Sequence, residues 1–283
     1  MDSPRRRVVT ARALVKLGGA LLTDKLTYKT LDHDALNQSV RAVVEAAKDG
    51  VELLLVLGAG SYGHSLARHL RLNEGYLPGW SPGPVTPWGK SSADQMQGVH
   101  EVRSDLAELS DAVISQLVKY GLDVQFIPAR EFVTLTETGE AEWTPPNLDS
   151  QVFMTQGDVV DRHGSARFGI LSGDQLMWLF SGTGSMSHAV FALDGVDGLM
   201  TRPPDHPDAV LIDWFAPGDI SNVSVDEDHD VTGGMGAKIE IACMISSQMP
   251  VTFVNGRRAD RLTAAILGKK VKGTLVSAEP PSV

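Results

Sequence analysis

The chain has 283 residues, 42% of them hydrophobic and 21% charged, which suits one large α/β domain or two small ones. Acids outnumber Lys and Arg by 35 to 25, and the formal net charge of −10 argues against nucleic acid or an anionic membrane as the main partner. No window approaches the roughly 20 apolar residues of a membrane span, Lys16 interrupts any signal-like run, and a single cysteine cannot close an intramolecular disulfide, so a cytoplasmic protein is expected.

The first strand signal is Val15 and Leu17, which run into Gly18 and Gly19 with Lys16 inside the run. A lysine within an apolar strand is costly to bury unless its ammonium meets an anion; the alternative is an edge position with the side chain reaching water. Lys25, in L-L-T-D-K, is in range of the same place. A helix is predicted over Asp34 to Lys48 and a second strand over Leu53 to Leu57, followed by the segment GAGSYGH. Gly58, Gly60 and Gly63 there fit the dinucleotide spacing G-x-G-x-x-G, but the context does not. The fingerprint should open the first βαβ unit and be followed about 20 residues later by an acid that ends the second strand. Here it follows the second strand, and about 20 residues on lies Gly75 to Gly89, with four prolines and four glycines. What survives is a turn whose glycines admit a ligand and whose helix N-terminus favours an anion, with His64 in the expected first helical turn. A capping or packing histidine is the alternative.

The segment from Gly75 to Gly89 cannot be a helix interior or a central strand and reads as a lid or a surface excursion. A helix over Ala93 to Tyr120 and a strand over Val124 to Ile127 follow. In S-G-D-Q-L, Ser172 to Leu176, Asp174 is either a plain first-turn acid of a helix over Asp174 to Phe180 or a carboxylate that fixes lysines. A strand over Ala189 to Leu193 comes next, then an irregular zone, Thr201 to Asp230, whose closing acids read as a solvated loop rather than metal ligands. D-V-T-G-G-M-G-A-K, Asp230 to Lys238, is a third glycine turn before a helix over Gly236 to Ser247, in which Cys243 is expected as a buried small hydrophobe. A strand over Val251 to Val254 and a helix over Ala259 to Leu267 close the pattern. Strands alternating with helices predict a mostly parallel sheet covered on both faces, with ligands at the strands' C-terminal ends and any domain boundary near residues 180 to 190. Three glycine turns opening helices, with several lysines and no G-x-x-x-x-G-K-[ST], suggest a phosphoryl-transfer enzyme without a Walker A loop.

In order along the chain, VKLGGALLTDK, GAGSYGH, GDVV, SGDQL, VDGLMTRPP, DVTGGMGAK and VNGRRADRLTAAILGKKVKGT resemble isopentenyl phosphate kinase, of the amino acid kinase superfamily, over about residues 13 to 276. The resemblance implies one domain over residues 1–283, a three-layer αβα sandwich with an open, mainly parallel central sheet. It implies an acceptor lobe at about 13–185 and a nucleotide lobe at about 186–283, assembled as a homodimer. The implied reaction moves the γ-phosphoryl of ATP, with Mg²⁺, onto isopentenyl phosphate for isoprenoid biosynthesis by the mevalonate route. Carried over, Lys16, His64, Asp174 and Lys238 are the catalytic set. Lys16, Gly18, Gly19, Lys25, Asp197, Gly198, Gly234 and Lys238 hold the nucleotide, with no protein metal ligand. Ala59, Gly60, Gly63, His64 and Gly173 hold the acceptor phosphate, and Val99 and Val102 meet its tail. The chain departs from the family pattern at Leu57, where histidine is frequent, at Ala59, at Gly195 within Asp194 to Gly198, and at Gly236 in place of a lysine. Two rival functions remain at this point: a kinase of the same superfamily acting on a phosphonate, carbamate or amino acid, and a non-catalytic regulator of that fold.

Overall fold

A computed structural model describes residues 12–24, 26–81, 88, 94–218 and 234–280. In chain order, β1 (Arg12–Leu17) turns through a single-turn α1 (Gly19–Leu22) into α2 (His33–Lys48), β2 (Glu52–Leu57), α3 (Gly60–His69) and the long α4 (Gln95–Lys119). Then come β3 (Val124–Phe126), a hairpin of β4 (Val133–Leu135) and β5 (Ala141–Trp143), β6 (Val152–Gln156), and a hairpin of β7 (Asp158–Asp161) and β8 (Phe168–Leu171). The chain closes with α5 (Gly173–Ser181), β9 (Met186–Leu193), β10 (Trp214–Phe215), α6 (Gly234–Ser246), β11 (Val251–Asn255), α7 (Ala259–Ile266) and β12 (Thr274–Val276).

Among the described residues, eight strands form one sheet in the order β10-β12-β11-β9-β1-β2-β6-β3. Every neighbouring pair is parallel except β11 with β12. The chain leaves β1 toward β2 on one side and returns to β9 on the other, so β1 marks the switch point where such sheets hold ligands. The period-2 alternation of β1 sorts its side chains. Ala13, Val15 and Leu17 enter a core beneath α1, α2 and α7, while Leu14 faces a second core beneath α5 and α6. Lys16, two residues from Leu14, therefore points into the α5–α6 layer. A third cluster joins α3, the first half of α4 and the β7–β8 hairpin through Leu66, Leu70, Val102, Leu106, Val159 and Phe168.

The predicted helices form with their ends shifted by a residue or two. The predicted start of α4, Ala93, lies outside the described residues, as do residues 82–87 and 89 of the segment from 75 to 89 and residues 219–230 of the second irregular zone. Sequence reading overlooked β6, which sits fully buried between β2 and β3. Its Thr155 and Gln156 break the apolar run that identified the other strands, and only the sheet makes sense of them. Both hairpins were missed because their strands are only three or four residues long. Cys243 is half-buried rather than core, because the period of α6 turns Ile239, Ala242 and Ile245 inward and leaves position 243 at the flank.

Candidate active site

The first two strands end in glycine turns that are pressed against each other. A Cβ built on Gly19 would stand 2.2 Å from the Gly60 nitrogen, and one on Gly58 would stand 2.3 Å from the Gly19 nitrogen. No side chain fits between the two backbones, and Gly58 N–H donates to Leu17 O across the join. Gly60 begins α3 at φ +50°, the left-handed region that favours glycine, and a Cβ there would overlap the Thr23 hydroxyl. That hydroxyl accepts the Ser61 N–H at 2.9 Å, tying the α1 turn to the first turn of α3. Gly63 has a third reason: its missing Cβ lets α3 lie against Leu106 of α4. The dinucleotide-like spacing is thus accounted for by backbone approach, a positive φ and helix contact. His64 comes one residue later than expected, at the start of the second helical turn, half-buried.

Lys16 meets two partners from the layer it faces. Its Nζ lies 2.5 Å from Asp174 Oδ1, and Lys238 Nζ lies 3.1 Å from Asp174 Oδ2. Asp174 is held at the start of α5 by a capping box: Ser172 Oγ accepts the Gln175 N–H while Gln175 Oε1 accepts the Ser172 N–H. Asp174 is therefore a first-turn acid and a lysine partner at once. Gly173 makes room for the lysine stem, since a Cβ there would come within 3.2 Å of Lys16 Cε. Burial pushes the Lys16 ammonium down to about 7, aided by Lys238 and opposed by Asp174. Burial alone would raise the Asp174 carboxyl, but the two ammonium groups outweigh it and hold it at about 2. With both lysines protonated, two cations sharing one buried carboxylate leave one net positive charge facing the cavity.

That cavity is a cleft of about 740 Å³ across the strand ends. Lys16, Gly18, Gly19, Gly173, Asp174 and Lys238 line its middle, and Ala59, Gly60, Gly63 and His64 line one end. Beyond them the wall turns apolar with Val102, Leu106, Val159 and Ile170. Gly198 and Gly234 line the opposite end with Asp194, Val196, Met200, Arg202 and Met235.

Some expected site residues lie elsewhere. Val99 is not among the lining residues: it is packed behind the wall, in the same cluster as Leu70. Asp197 is also absent from the lining. It receives hydrogen bonds from Asn255 Nδ2 at 3.2 Å and from Arg261 Nη1, and pairs with Lys272 Nζ at 2.7 Å. Lys272 foremost, with burial opposing and Asn255 and Arg261 assisting, keeps its carboxyl below the usual range. Lys25 lies outside the described residues, although its neighbour Leu26 lines the cleft. Leu57, where the family pattern has histidine, is fully buried in the core under α2. Sequence reading had no signal for Arg68, one helical turn beyond His64 on the cleft wall, or for Arg202 and Asp194 at the far end.

Asp158 also borders the cleft. Burial pushes its carboxyl up, Arg130 pulls it back, and its two oxygens receive Arg130 Nη1 and the Val159 N–H, each at 2.8 Å. Among the described residues no group of three or more metal-ligating side chains occurs. Each carboxylate among the described cleft residues already faces a cation, so these residues would accept a metal ion carried on the phosphate oxygens of a ligand.

The sequence model of the amino acid kinase family matches residues 11–255. Isopentenyl phosphate kinase of Thermoplasma acidophilum is 31% identical over 260 residues, which is 88% of this chain and 94% of the relative. The enzyme of that name from Methanothermobacter thermautotrophicus is 26% identical over 275 residues, 93% of this chain and 98% of the relative. In fold, the chain is similar to a crystal structure of isopentenyl phosphate kinase with a TM-score of 0.74 at 24% identity, covering 93% of this chain and 99% of the other.

Proposed function

The chain belongs to the amino acid kinase family, and we propose that it phosphorylates isopentenyl phosphate with ATP to give isopentenyl diphosphate and ADP. The observation that carries this reading is Asp174 gathering Lys16 and Lys238 between two glycine turns, with His64 and an apolar wall on one side. Relatives of that activity, alike over nearly the whole chain, support it.

The chemistry follows from charge. A monophosphate oxygen attacks the γ-phosphorus of ATP in line, the new P–O bond forms, and the bond to the β-phosphate oxygen breaks. A dianionic acceptor and tetra-anionic ATP give a trianionic diphosphate and trianionic ADP, so no proton moves and no general base is needed. The difficulty is bringing two polyanions together, and a site meets it by positioning and positive charge. Lys16 is assigned to the space between donor and acceptor, and Lys238 to the β- and γ-phosphates. Gly18 and Gly19 offer backbone to the nucleotide phosphates. Ala59, Gly60, Gly63 and Gly173 cradle the acceptor phosphate, which His64 grips. Val102, Leu106, Val159 and Ile170 give the five-carbon tail an apolar floor. Magnesium, arriving with the nucleotide, would supply further charge neutralisation there.

The finer parts of the same proposal are a homodimer, a cytoplasmic location and a place in the mevalonate route. No helix among the described residues is long and apolar enough to cross a membrane. The test is ADP release with ATP and a panel of acceptors: isopentenyl phosphate, dimethylallyl phosphate, short alkyl monophosphates and fosfomycin. Turnover confined to the branched alkyl phosphates is expected. Turnover on fosfomycin alone, or on none of them, sinks the assignment.

A further inference from the structure

The apolar end of the cleft is walled by two separate pieces of structure. Val102 and Leu106 come from α4, while Val159 and Ile170 come from the β7–β8 hairpin, where they stand opposite each other in the ladder. The hairpin is a two-stranded ribbon outside the eight-stranded sheet. A ribbon of two strands is marginal by itself, so its place depends on what anchors it. Arg103, next to Val102 on α4, reaches across to it. Its Nε donates to Val159 O at 2.9 Å and its Nη2 to Asp161 Oδ1 at 2.9 Å. Arg130 holds the same strand through Asp158 Oδ2, and Asp158 Oδ1 takes the Val159 N–H. Both backbone polar groups of Val159 are thus taken by side chains, its carbonyl by a guanidinium from the facing wall. That charge-assisted bond is the stronger tie. The Asp161 carboxylate is 75% exposed, and its pairing adds little.

The separation of these walls decides how bulky a tail fits between them. Apolar contacts are non-directional and hold no particular distance, whereas hydrogen bonds from a planar fork do. We propose that Arg103 is the positioning residue that sets the separation of α4 from the hairpin and so confines the acceptor to a short tail. Arg103 is not among the lining residues, so it touches no substrate and acts through Val159. This role rests on the reading that the alkyl tail of the accepting phosphate lies between the two walls.

The test compares kcat/KM for isopentenyl phosphate with that for the ten-carbon geranyl phosphate, at saturating ATP, in the wild type, Arg103→Ala and Arg103→Lys. Walls held at one spacing predict that the wild type favours the shorter acceptor by about 100-fold. In Arg103→Ala that preference should fall by about tenfold or more, through a higher KM for isopentenyl phosphate and a lower one for geranyl phosphate. Its kcat on isopentenyl phosphate and its KM for ATP should stay within about threefold of wild type. Arg103→Lys keeps the charge and a donor but loses the fork, so it should recover part of the preference; it also serves if the alanine variant folds poorly. A preference unchanged in both variants overturns the proposal. So does a fall in kcat with the preference intact, which is what general damage to the fold would give, or a wild type indifferent to tail length. If the wild type releases no ADP with either acceptor, the acceptor reading fails separately. The tie is then read from amide hydrogen exchange, which needs no substrate. Arg103→Ala should speed exchange in β7 and β8 by about tenfold, and unchanged protection there overturns the role of Arg103.

Discussion

At the His64 end of the cleft backbone contacts set the shape, whereas the middle and the opposite end are organised by ion pairs. Around His64, Gly19, Gly58, Gly60 and Gly63 let two turns and two helices touch where a methyl group would collide. Across the cleft, Asp174 binds Lys16 and Lys238 and Asp194 binds Arg257, while off the lining Asp197 binds Arg261 and Lys272. A backbone cradle is rigid and specific for shape but carries little charge. Paired cations carry charge, at the cost of desolvating each group. A reaction that joins two polyanions needs one of each: a shaped seat for the accepting phosphate and concentrated positive charge for the phosphoryl in flight.

The contrast is broken most severely at its centre. Asp174→Asn keeps the size of the side chain and removes the charge that holds two ammonium groups together. Turnover should fall by about 10³-fold or more in steady-state ADP release, since positioning and charge are lost together. A variant within tenfold of wild type would show that the lysines need no organiser. His64→Ala tests the other end. Its loss should be about 10²–10³-fold in turnover with isopentenyl phosphate, while the Kd for ATP measured by calorimetry stays within a few-fold of wild type. Loss of ATP affinity by a similar factor would mean that the two ends are not separate in function.

Much of this division was legible in the sequence, and the exceptions have physical causes. A lysine within an apolar run already marked Lys16 as needing an anion or an edge position, and the sheet decides for the anion by turning it to the face of Leu14, where Asp174 lies. For Asp174 the sequence offered a first-turn acid or a lysine partner as alternatives, and the fold makes it both. Asp197 sits off the cleft lining, paired with cations, because a carboxylate next to a glycine does not reveal which cations the fold will bring to it. Arg261 comes from α7 and Lys272 from the turn before β12. Val99 and Val102 show the limit of helical periodicity. Both belong to the buried face of α4, but the period says nothing of depth along the axis, and only Val102 reaches the cleft. β6 escaped notice because its two polar residues acquire their burial from β2 and β3 on either side, which no local pattern records.

The central claim is that Lys16 and Lys238, gathered on Asp174, receive the arriving phosphates, and the buried Lys16 ammonium, its pKa lowered by desolvation, reports their arrival. Its ammonium is pushed to about 7 by burial, so at pH 8 most of it is neutral before binding. Negative charge placed beside it raises that pKa, so the complex holds more protons than the separate partners. By linkage, affinity for ATP then falls as pH rises above about 7. Calorimetric titration of the chain with Mg·ATP at pH 8, in buffers of different ionisation enthalpy, counts those protons. Uptake approaching one proton per ATP in the wild type, absent in Lys16→Met, is the predicted result. No uptake in the wild type, or the same uptake in both proteins, would contradict it.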